Sequence, residues 1–514
     1  MRANNTNESM FSRLEKALVG CSLNNEQRFL PLDVLEKEIT EDNVRSVLSK
    51  GVVVKAALST KSLIRALPRT VEERARKVFA ILLGVGEPDA IKKLLAEGLT
   101  DERLPVHLDK DGRTLVSRDG TVFRSLASIR EERIVHFVER QWTVLAPSLD
   151  ASGQHIEINR RCPLPFVETT PIGHGPTSAV HKSKLHPAHY CGPHLFANME
   201  YVATKEMWKE DVFLQEKENL RTLALLKHDH LIRHMATFTK NTTHYVIFPW
   251  ADGGTLADFW TFQNTCVRDR VLTIWCLRQM LGVAEAIEAL HSVNCRHGDM
   301  KPENILHFTG PDGGRLVVSD VGVSRTHDKA TRLRQVGTTT RATTPSYEAP
   351  ETLASQFSPR ARRYDVWSIG CIFLEFSLWI LHDMASVDSF GYARHAPDYA
   401  FYLTNRETST SRRRTEIHPV VTTALRLLRQ DDRCKGGTIF EDVLTLIETR
   451  LLQVEVDQRA TATEMVEQLR TIVQHADADP ARLLNDVAPP EKLRFPKRAQ
   501  TGGTTVSING TIHE

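Results

Sequence analysis

The chain has 514 residues, which is long enough for more than one folded domain. Hydrophobic residues make up 41% and charged residues 25%, a composition typical of globular proteins and too apolar for a mostly disordered chain. The 66 basic and 64 acidic side chains nearly cancel, so overall charge attracts neither nucleic acid nor an anionic membrane. We therefore predict neither as a partner.

Cysteine spacing and apolar runs indicate the compartment. The eight cysteines are scattered, with no Cys-x-x-Cys pair and no zinc-like spacing with histidine, which predicts reduced thiols in a cytoplasmic or nuclear protein. The N-terminus MRANNTNESMFSRLEK lacks the basic-then-apolar order of a signal peptide, so we do not expect secretion. The longest apolar run, residues 366–380, contains Glu375 and is too short to span a bilayer. It predicts a buried core helix and no transmembrane segment.

Amphipathic helices are predicted in succession at the start of the chain. The stretches LDVLEKEITEDNVRSVLSK and RARKVFAILLGVGEPDAIKKLLAEGL place apolar residues three and four positions apart. Turn signals in PVHLDKDGRTLVSRDGTVFRS predict a small hairpin between helices. The turn-rich stretch LAPSLDASGQHIEINRRCPLP marks a boundary. We assign residues 1–163 to a mostly helical domain of unknown role, which is a candidate for binding a protein partner.

Short alternating runs that predict strands follow this boundary, and two glycines lie between the first two runs. In IGHGPTSAV, Gly173 and Gly175 would let the backbone approach phosphate oxygens with its N–H groups. A plain β-turn is the alternative for this stretch alone. Further on, VATK places Lys205 on a predicted strand, where its ammonium could reach the phosphates of a nucleotide. An exposed strand lysine is the alternative there.

The stretch FLQEKENLRTLALL predicts a helix with one buried face. Glu216 on this helix could pair with Lys205 and hold the ammonium in position, and Glu218 is the competing partner. We favour Glu216 because it is in register with the buried stripe of Leu220 and Leu223. Either glutamate could instead be solvated.

The stretch HYVIFPWADGG is typical of a connector between two lobes. An alternating strand ends in Phe248 and is followed by Pro249, Trp250 and Ala251, after which two glycines precede a helix. Adenine bound here would form hydrogen bonds with backbone groups. Pro249 lacks an N–H but keeps the carbonyl that an adenine amino group needs.

The stretch HGDMKPENIL carries the residues best suited to phosphoryl transfer. Asp299 could accept a proton from an attacking hydroxyl, and Lys301 could offset charge on the transferred group. Asn304 offers an amide oxygen to Mg²⁺. The hairpin predicted in ILHFTGPDGGRLVVSD would return the chain to the same edge, where Asp320 is a second oxygen ligand. Each fragment alone could be structural, but their order and spacing together indicate one site.

These motifs resemble the eukaryotic protein kinase family over residues 165–476. The motifs TTPSYEAPE (343–351) and YDVWSIG (364–370) and the late Arg459 extend the resemblance. It implies that Asp299 is the catalytic base, assisted by Lys301, and that Asn304 and Asp320 bind Mg²⁺. It also implies an ATP site formed by Ile172, Gly173, His174, Gly175, Val180, Ala203, Lys205, Glu216, Phe248 as gatekeeper, and the hinge residues Pro249, Trp250 and Ala251.

The family implies an α+β, two-lobed protein kinase fold preceded by the helical N-terminal domain. We expect a kinase domain at 164–476, with its small lobe at 164–249 and its large lobe at 250–476, and a flexible tail at 477–514. Lys301 in DMKPEN and Thr344 in TPSYEAPE resemble the residues found at these positions in the serine/threonine branch of the family. The N-terminal region together with FPWADGG and YDVWSIGCIFLEF resembles kinase-like proteins of filamentous fungi. A structural ion pair between Glu351 and Arg459 is also implied.

Three positions depart from the family pattern. Gly298 replaces the Arg of His-Arg-Asp, which would pair with a phosphorylated activation loop, so we expect activity that does not depend on that pairing. Ser178 replaces a third glycine of the glycine-rich loop. Val321 replaces the Phe of Asp-Phe-Gly and fills less of the apolar contact. None of these changes removes the base, a metal ligand or the phosphate-binding lysine.

Three functional hypotheses follow. The first is an ATP- and Mg²⁺-dependent serine/threonine kinase acting on protein substrates. The second is a kinase-like scaffold, or pseudokinase, that binds nucleotide or none and acts through its N-terminal region. The retained set of Lys205, Asp299, Asn304 and Asp320 favours the first, because a scaffold has no physical need for every one of these groups. A small-molecule phosphotransferase is the third, and TPSYEAPE, which resembles a peptide-substrate platform, argues against it.

Overall fold

The structure is a computed structural model, and the residues it describes form two compact units. One unit comprises Met1–Lys217 with Arg233–Trp250, and the other comprises Glu218–Ile232 with Ala251–Glu514. The described residues within them are 8–50, 61–150, 152–192, 200–321, 345–353, 361–395, 399–406, 413–488, 490 and 492–495.

The described residues form the following α-helices and β-strands. The helices are α1 Met10–Lys16, α2 Leu32–Glu38, α3 Glu41–Lys50, α4 Lys61–Arg74, α5 Arg76–Val85, α6 Ile91–Ala96, α7 Glu131–Arg140, α8 Glu210–Leu226, α9 Leu256–Phe262, α10 Arg270–Ser292, α11 Arg363–Leu381, α12 Met384–Ala393, α13 Pro419–Gln430, α14 Ile439–Leu446 and α15 Ala462–Ala478. The strands are β1 Val19–Cys21, β2 Asn24–Phe29, β3 Val106–Leu108, β4 Leu115–Ser117, β5 Val122–Phe123, β6 His155–Ile158, β7 Phe166–His174, β8 Ser178–Leu185, β9 Val202–Met207, β10 Ala236–Lys240, β11 Thr243–Pro249, β12 Ile305–Phe308, β13 Arg315–Val318, β14 Tyr402–Arg406 and β15 Arg413–Ile417.

The N-terminal part of the first unit is mostly helical, as predicted, and has its own core. Helix α5 is central to it, since Val78, Phe79, Ile81 and Leu82 are each fully buried. The helix ends at Gly86, whose φ of 74° is a left-handed conformation that glycine adopts without strain. The predicted small hairpin is present and gains a third strand, in the order β3-β4-β5. The short hairpin of β1 and β2 was not predicted.

A six-stranded sheet forms the rest of the first unit, in the order β6-β10-β11-β9-β8-β7. Strand β6 pairs in parallel with β10, and the other neighbours are antiparallel. Strand β6, His155–Ile158, lies inside the segment assigned to the N-terminal domain, so the sheet begins before the boundary expected at residue 163. Its four residues lie within a stretch rich in turn formers, which hid the strand in the sequence.

The second unit is built around α11. Every residue of this helix from Tyr364 to Leu381 is buried, which confirms the core helix predicted for residues 366–380. Among the residues that the structure describes, α11 is the one helix long and apolar enough to cross a bilayer, and its apolar stretch lies entirely inside the protein. Helices α10 and α15 pack against each other in the same unit. The hairpin of β12 and β13 carries the chain back toward the loop that precedes it.

We predicted a flexible tail beginning at residue 477, but part of the segment after α15 packs on the second unit. Leu483 is fully buried, and the Phe495 ring lies 5.4 Å from that of Phe390. Arg494 forms a salt bridge with Asp383 at 3.1 Å. Two apolar anchors and a guanidinium therefore hold this polar segment on the second unit, where composition alone suggested no packing. The remainder of the predicted tail, residues 496–514, lies outside the described residues.

Candidate active site

Five of the predicted nucleotide-binding residues of the first unit share one face of the six-stranded sheet. Gly173 lies opposite Val180, and Val180 lies opposite Lys205. Ala203 precedes Lys205 by two positions on β9 and lies opposite Phe248 of β11. Residues directly opposite each other in antiparallel strands, and residues two apart on one strand, point to the same side. The strand register therefore gathers these five positions on a single surface.

Lys205 pairs with Glu216 rather than remaining a solvated strand lysine. Its Nζ lies 3.0 Å from Glu216 Oε1, and the two side chains are 18% and 8% exposed. Glu216 lies on the buried side of α8, whereas the alternative partner Glu218 is exposed. The largely buried carboxylate of Glu216 fixes the position of the Lys205 ammonium, because leaving either charge unpaired there would cost roughly 3–5 kcal/mol.

The glycine-rich turn lies between β7 and β8. The N–H of Gly175 donates to the carbonyl of Ser178 at 2.7 Å, which closes the turn. The His174 ring lies 5.3 Å from Trp208, and Ile172 is 57% exposed. A Cβ placed on Gly173 would meet no protein atom within 4 Å, so packing within the chain does not require glycine there. The open space beside the backbone suits close approach of a ligand such as phosphate.

The connector continues from the end of β11. Pro249 pairs in register with Val202, and the ring of Trp250 lies 4.9 Å from the Lys182 ammonium in a cation–π contact. Ala251, the next residue along the chain, is buried. The predicted hinge is thus a short stretch of strand end, whose first residues are fixed by β9 and by Lys182.

In the second unit, the predicted catalytic residues lie together after α10. Lys301 Nζ is 3.0 Å from Asp299 Oδ2, and both Asp299 and Asn304 are largely buried. Asn304 donates through Nδ2 to the Asp299 carbonyl at 2.7 Å and to its Oδ2 at 3.3 Å. With Nδ2 assigned to Asp299, the amide oxygen Oδ1 is the atom that could ligate a cation.

Asp320 follows Ser319, whose backbone is hydrogen-bonded to the loop that carries Asp299 and Asn304. Ser319 donates its backbone N–H to the Asn304 carbonyl at 2.8 Å, and His297 Nε2 donates to the Ser319 carbonyl at 2.8 Å. Asp320 itself is exposed and has a left-handed φ of 53°. One carboxylate and one amide oxygen fit Mg²⁺, a hard cation that keeps several waters or phosphate oxygens as further ligands. No group of three or more His, Cys, Asp or Glu side chains that could hold a metal ion occurs among the described residues.

Asp365 holds this loop in place, although the sequence assigned it no role. Its Oδ2 accepts the N–H of His297 at 2.9 Å and its Oδ1 accepts the N–H of Gly298 at 2.8 Å. His291 Nε2 lies 2.8 Å from the same carboxylate. Burial raises the pKa of Asp365, but the hydrogen bonds from His291 and the Gly298 N–H, together with the charges of His291 and His297, lower that pKa below its ordinary value. The motif YDVWSIG was the available signal, but sequence alone could not show which backbone groups Asp365 meets.

The ion pair implied for Glu351 is present. Arg459 donates to both carboxylate oxygens of Glu351, at 2.9 and 3.0 Å, and its side chain is fully buried. In the same segment, Tyr347 donates to Glu375 of α11 at 2.7 Å. The segment 345–351 is thus fixed to the core of the second unit at two points. Thr343 and Thr344, which the kinase resemblance also used, lie outside the described residues.

One of the departures from the family pattern has a structural explanation, and a second lies in a buried position. Gly298 has a φ of 82°, a left-handed conformation in which a side chain would be strained. Val321 is only 3% exposed, so the smaller apolar side chain is still a buried residue.

Comparison with known proteins agrees with the geometry. The family model for the protein kinase domain matches residues 167–469, more than half of the chain. Calcium/calmodulin-dependent protein kinase type 1 of Macrobrachium nipponense is 31% identical over 164 residues, which are 32% of this chain and 43% of that protein.

Two fungal proteins are similar to the chain over about the same share of its length. The calcium/calmodulin-dependent protein kinase of Metarhizium anisopliae is 28% identical over 33% of this chain and 43% of that protein. Calcium/calmodulin-dependent protein kinase cmkA of Emericella nidulans is 31% identical over 33% of this chain and 39% of that protein. The chain therefore matches less than half the length of each of these relatives.

Proposed function

This chain belongs to the protein kinase family, and we propose that it is an active serine/threonine kinase that transfers the γ-phosphate of ATP to hydroxyls of protein substrates. The family uses ATP and Mg²⁺ as cofactors. When bound, magnesium ATP supplies the phosphoryl group together with the cation that offsets its negative charge.

The observation that carries the proposal is the arrangement of Asp299, Lys301 and Asn304. Asp299 Oδ2 is held by Lys301 and Asn304, at 3.0 and 3.3 Å, so the carboxylate has a defined position and a neighbouring positive charge. A base held in this way can accept the proton of a substrate hydroxyl, and the Lys301 ammonium can stabilise negative charge on the transferred group. Such an arrangement is needed for transfer and is not needed for nucleotide binding alone.

Other residues of the chain would hold the nucleotide. Lys205, fixed by Glu216, would contact phosphate oxygens, and the face that Val180 and Ala203 share would cover the adenine. Asn304 Oδ1 and the Asp320 carboxylate would hold Mg²⁺. Selection of serine and threonine rests on Lys301 in DMKPEN.

The competing hypothesis is a kinase-like scaffold without transfer activity. The two hypotheses make the same prediction for nucleotide binding and different predictions for chemistry. The experiment must therefore measure binding and transfer separately in the same protein preparations.

The experiment compares the full chain with Asp299→Asn and Lys205→Met variants. Each is incubated with labelled ATP, Mg²⁺ and a library of Ser- and Thr-containing peptides, and nucleotide affinity is measured by calorimetry. We expect Asp299→Asn to lose transfer by about a thousandfold or more while its nucleotide affinity changes little, because the base acts only in transfer. Lys205→Met should weaken both phosphoryl transfer and nucleotide binding.

The matched control is Asp312→Asn, which makes the same chemical change in the exposed turn between β12 and β13. Asp312 has a φ of 57°, which asparagine tolerates well. This variant should keep full activity. Nucleotide binding without transfer in the unchanged protein would favour the scaffold, and equal label with all variants would indicate a contaminating kinase.

A further inference from the structure

The β1–β2 hairpin of the N-terminal region contacts the strand that leads into the glycine-rich turn. The N–H of Ser22, in the hairpin turn, donates to the carbonyl of Phe166 at 2.8 Å. Its hydroxyl lies 3.0 Å from the same carbonyl and 2.6 Å from the hydroxyl of Thr169. Phe166 is the first residue of β7, and Gly173 lies near its other end.

Strand β7 is the last strand in the order of its sheet, so one of its edges has no neighbouring strand among the residues that the structure describes. An edge strand keeps part of its backbone hydrogen-bonding capacity unused by the sheet and is held less firmly than a central strand. The pairing of β7 with β8 is also irregular, with register shifts between Phe166 and Glu168 and between Pro171 and Gly173. Contacts from outside the sheet can therefore add to the restraint that β8 places on this strand.

The hydroxyl of Thr169, which contacts Ser22, also contacts a hydroxyl on the next strand of the sheet. Thr169 Oγ1 donates to Ser183 Oγ at 3.4 Å, and Ser183 is the residue of β8 directly opposite Thr169. Ser183 is fully buried. Ser22 thus begins a row of three hydroxyls that crosses from the hairpin through β7 to β8.

Apolar packing and a lysine hold the hairpin at this place. Cys21 is 1% exposed and belongs to the same core cluster as Phe166 and other residues of the sheet. Lys240 of β10 donates to Gln27 Oε1 at 2.7 Å, and Gln27 Nε2 donates to the carbonyl of Arg160 at 3.0 Å. The hairpin therefore contacts the sheet at several independent points.

We propose that the N-terminal hairpin positions the glycine-rich turn for ATP, and that Ser22 is a positioning residue through its contacts with Phe166 and Thr169. This inference rests on the proposed kinase function, because it concerns how the nucleotide is held. A strand fixed at Phe166 limits the movement of Gly173 further along it. Loosening that end should reduce nucleotide affinity without changing the step that Asp299 performs.

The test uses full-length Ser22→Ala and Ser22→Thr variants, with Ser49→Ala as control. Ser49 is exposed on α3, where its hydroxyl binds only the local Ser46 carbonyl among the contacts described for it. We expect Ser22→Ala to raise the KM for ATP and the Kd of magnesium ATP by about fivefold, the size of one lost hydrogen bond. The kcat should stay within about twofold, since the catalytic loop is unchanged. Ser22→Thr, which keeps the hydroxyl, should restore the affinity.

Hydrogen exchange provides a readout that does not depend on activity. Ser22→Ala should speed amide exchange in residues 166–174 and leave α5 unchanged, because a lost restraint opens the structure locally. Unchanged exchange in β7, or an unchanged Kd beside normal wild-type binding, would overturn the inference. A wild-type protein that binds no nucleotide would instead overturn the proposed function, while the exchange result would still report on the hairpin.

Discussion

The carboxylate of Asp365 accepts the backbone N–H of His297 at 2.9 Å, so a residue of the core helix α11 holds the loop that carries Asp299. This relationship links stability to the geometry of the proposed catalytic base. Because Asp365 is fully buried and also binds the N–H of Gly298, each of its oxygens has an assigned donor.

Replacement of Asp365 by asparagine should harm both stability and transfer. The amide NH₂ would face a backbone N–H and leave a buried donor unsatisfied, which typically costs about 1–3 kcal/mol. Urea denaturation should show this loss, and kcat should fall at least about tenfold because Asp299 loses its fixed position. Asp457→Asn is the control, since Asp457 is a fully exposed carboxylate. Normal kcat in a destabilised Asp365→Asn protein would mean that Asp365 acts on stability alone.

A second prediction separates Glu216 from Glu218. Glu216→Gln removes the charge that fixes Lys205, so the KM for ATP should rise about tenfold and kcat/KM should fall further. Glu218→Gln makes the same change two positions away on an exposed part of α8 and should behave as wild type. Steady-state kinetics with ATP as the varied substrate distinguishes the two. Equal effects from both variants would contradict the assignment of Glu216.

A third prediction concerns phosphorylation of the protein itself. Gly298 has no side chain to pair with a phosphorylated loop, and its φ of 82° favours glycine at this position. Treatment with a phosphatase before the assay should therefore leave the activity within about twofold of its starting value. Protein treated with inactivated phosphatase is the control. Strong inactivation by the active phosphatase alone would show that a phosphate is needed through some other group.

The sequence indicated the residues of the candidate site, and it indicated less about the packing around them. Lys205, Asp299, Asn304 and Asp320 lie in short motifs whose chemistry depends on residue type and spacing, so they could be found without coordinates. The partner of Lys205 could be ranked but not decided, because two glutamates lie on the same helix and only burial separates them.

Long-range contacts account for what was missed. The β1–β2 hairpin and β6 are short, and they are stabilised by contacts with distant strands rather than by their own pattern. Phe495 is isolated in a polar stretch, and its packing on Phe390 could not be seen from local composition. The role of Asp365 could not be seen either, because it depends on backbone groups of a loop far away in the chain.

A fourth prediction concerns the ion pair that the fully buried Arg459 forms with the largely buried side chain of Glu351. Arg459→Met would leave the carboxylate of Glu351 without its partner and remove the bonds to the carbonyls of Arg363 and Gln453. We expect a loss of about 3–5 kcal/mol in the free energy of unfolding, measured with urea. Arg470→Met is the control, because that arginine forms a half-exposed salt bridge and should cost less than about 1 kcal/mol. Similar losses in both variants would contradict the structural role of Arg459.

The last prediction is a loss of stability in mild acid caused by His189. This side chain is 1% exposed, lies 5.1 Å from the Phe29 ring and donates through Nδ1 to the Pro147 carbonyl. Burial lowers the pKa of His189 from 6.5 to about 4, against the opposing effect of that hydrogen bond. Its Nε2 has no hydrogen-bond partner among the described residues, so a proton added there would be buried without an acceptor.

The sign follows from the two pKa values. The unfolded chain binds a proton at His189 below pH 6.5 and the folded chain only below about pH 4, so folding becomes less favourable as the pH falls between these values. The loss should reach about 2 kcal/mol by pH 5. Urea denaturation of wild type and His189→Asn at pH 7.5 and pH 5 measures it, because the variant keeps an amide donor and cannot titrate. The control is His136→Asn, which changes an exposed histidine of α7 and should retain the wild-type pH dependence. If wild type and His189→Asn lost equal stability between the two pH values, other groups would cause the acid sensitivity.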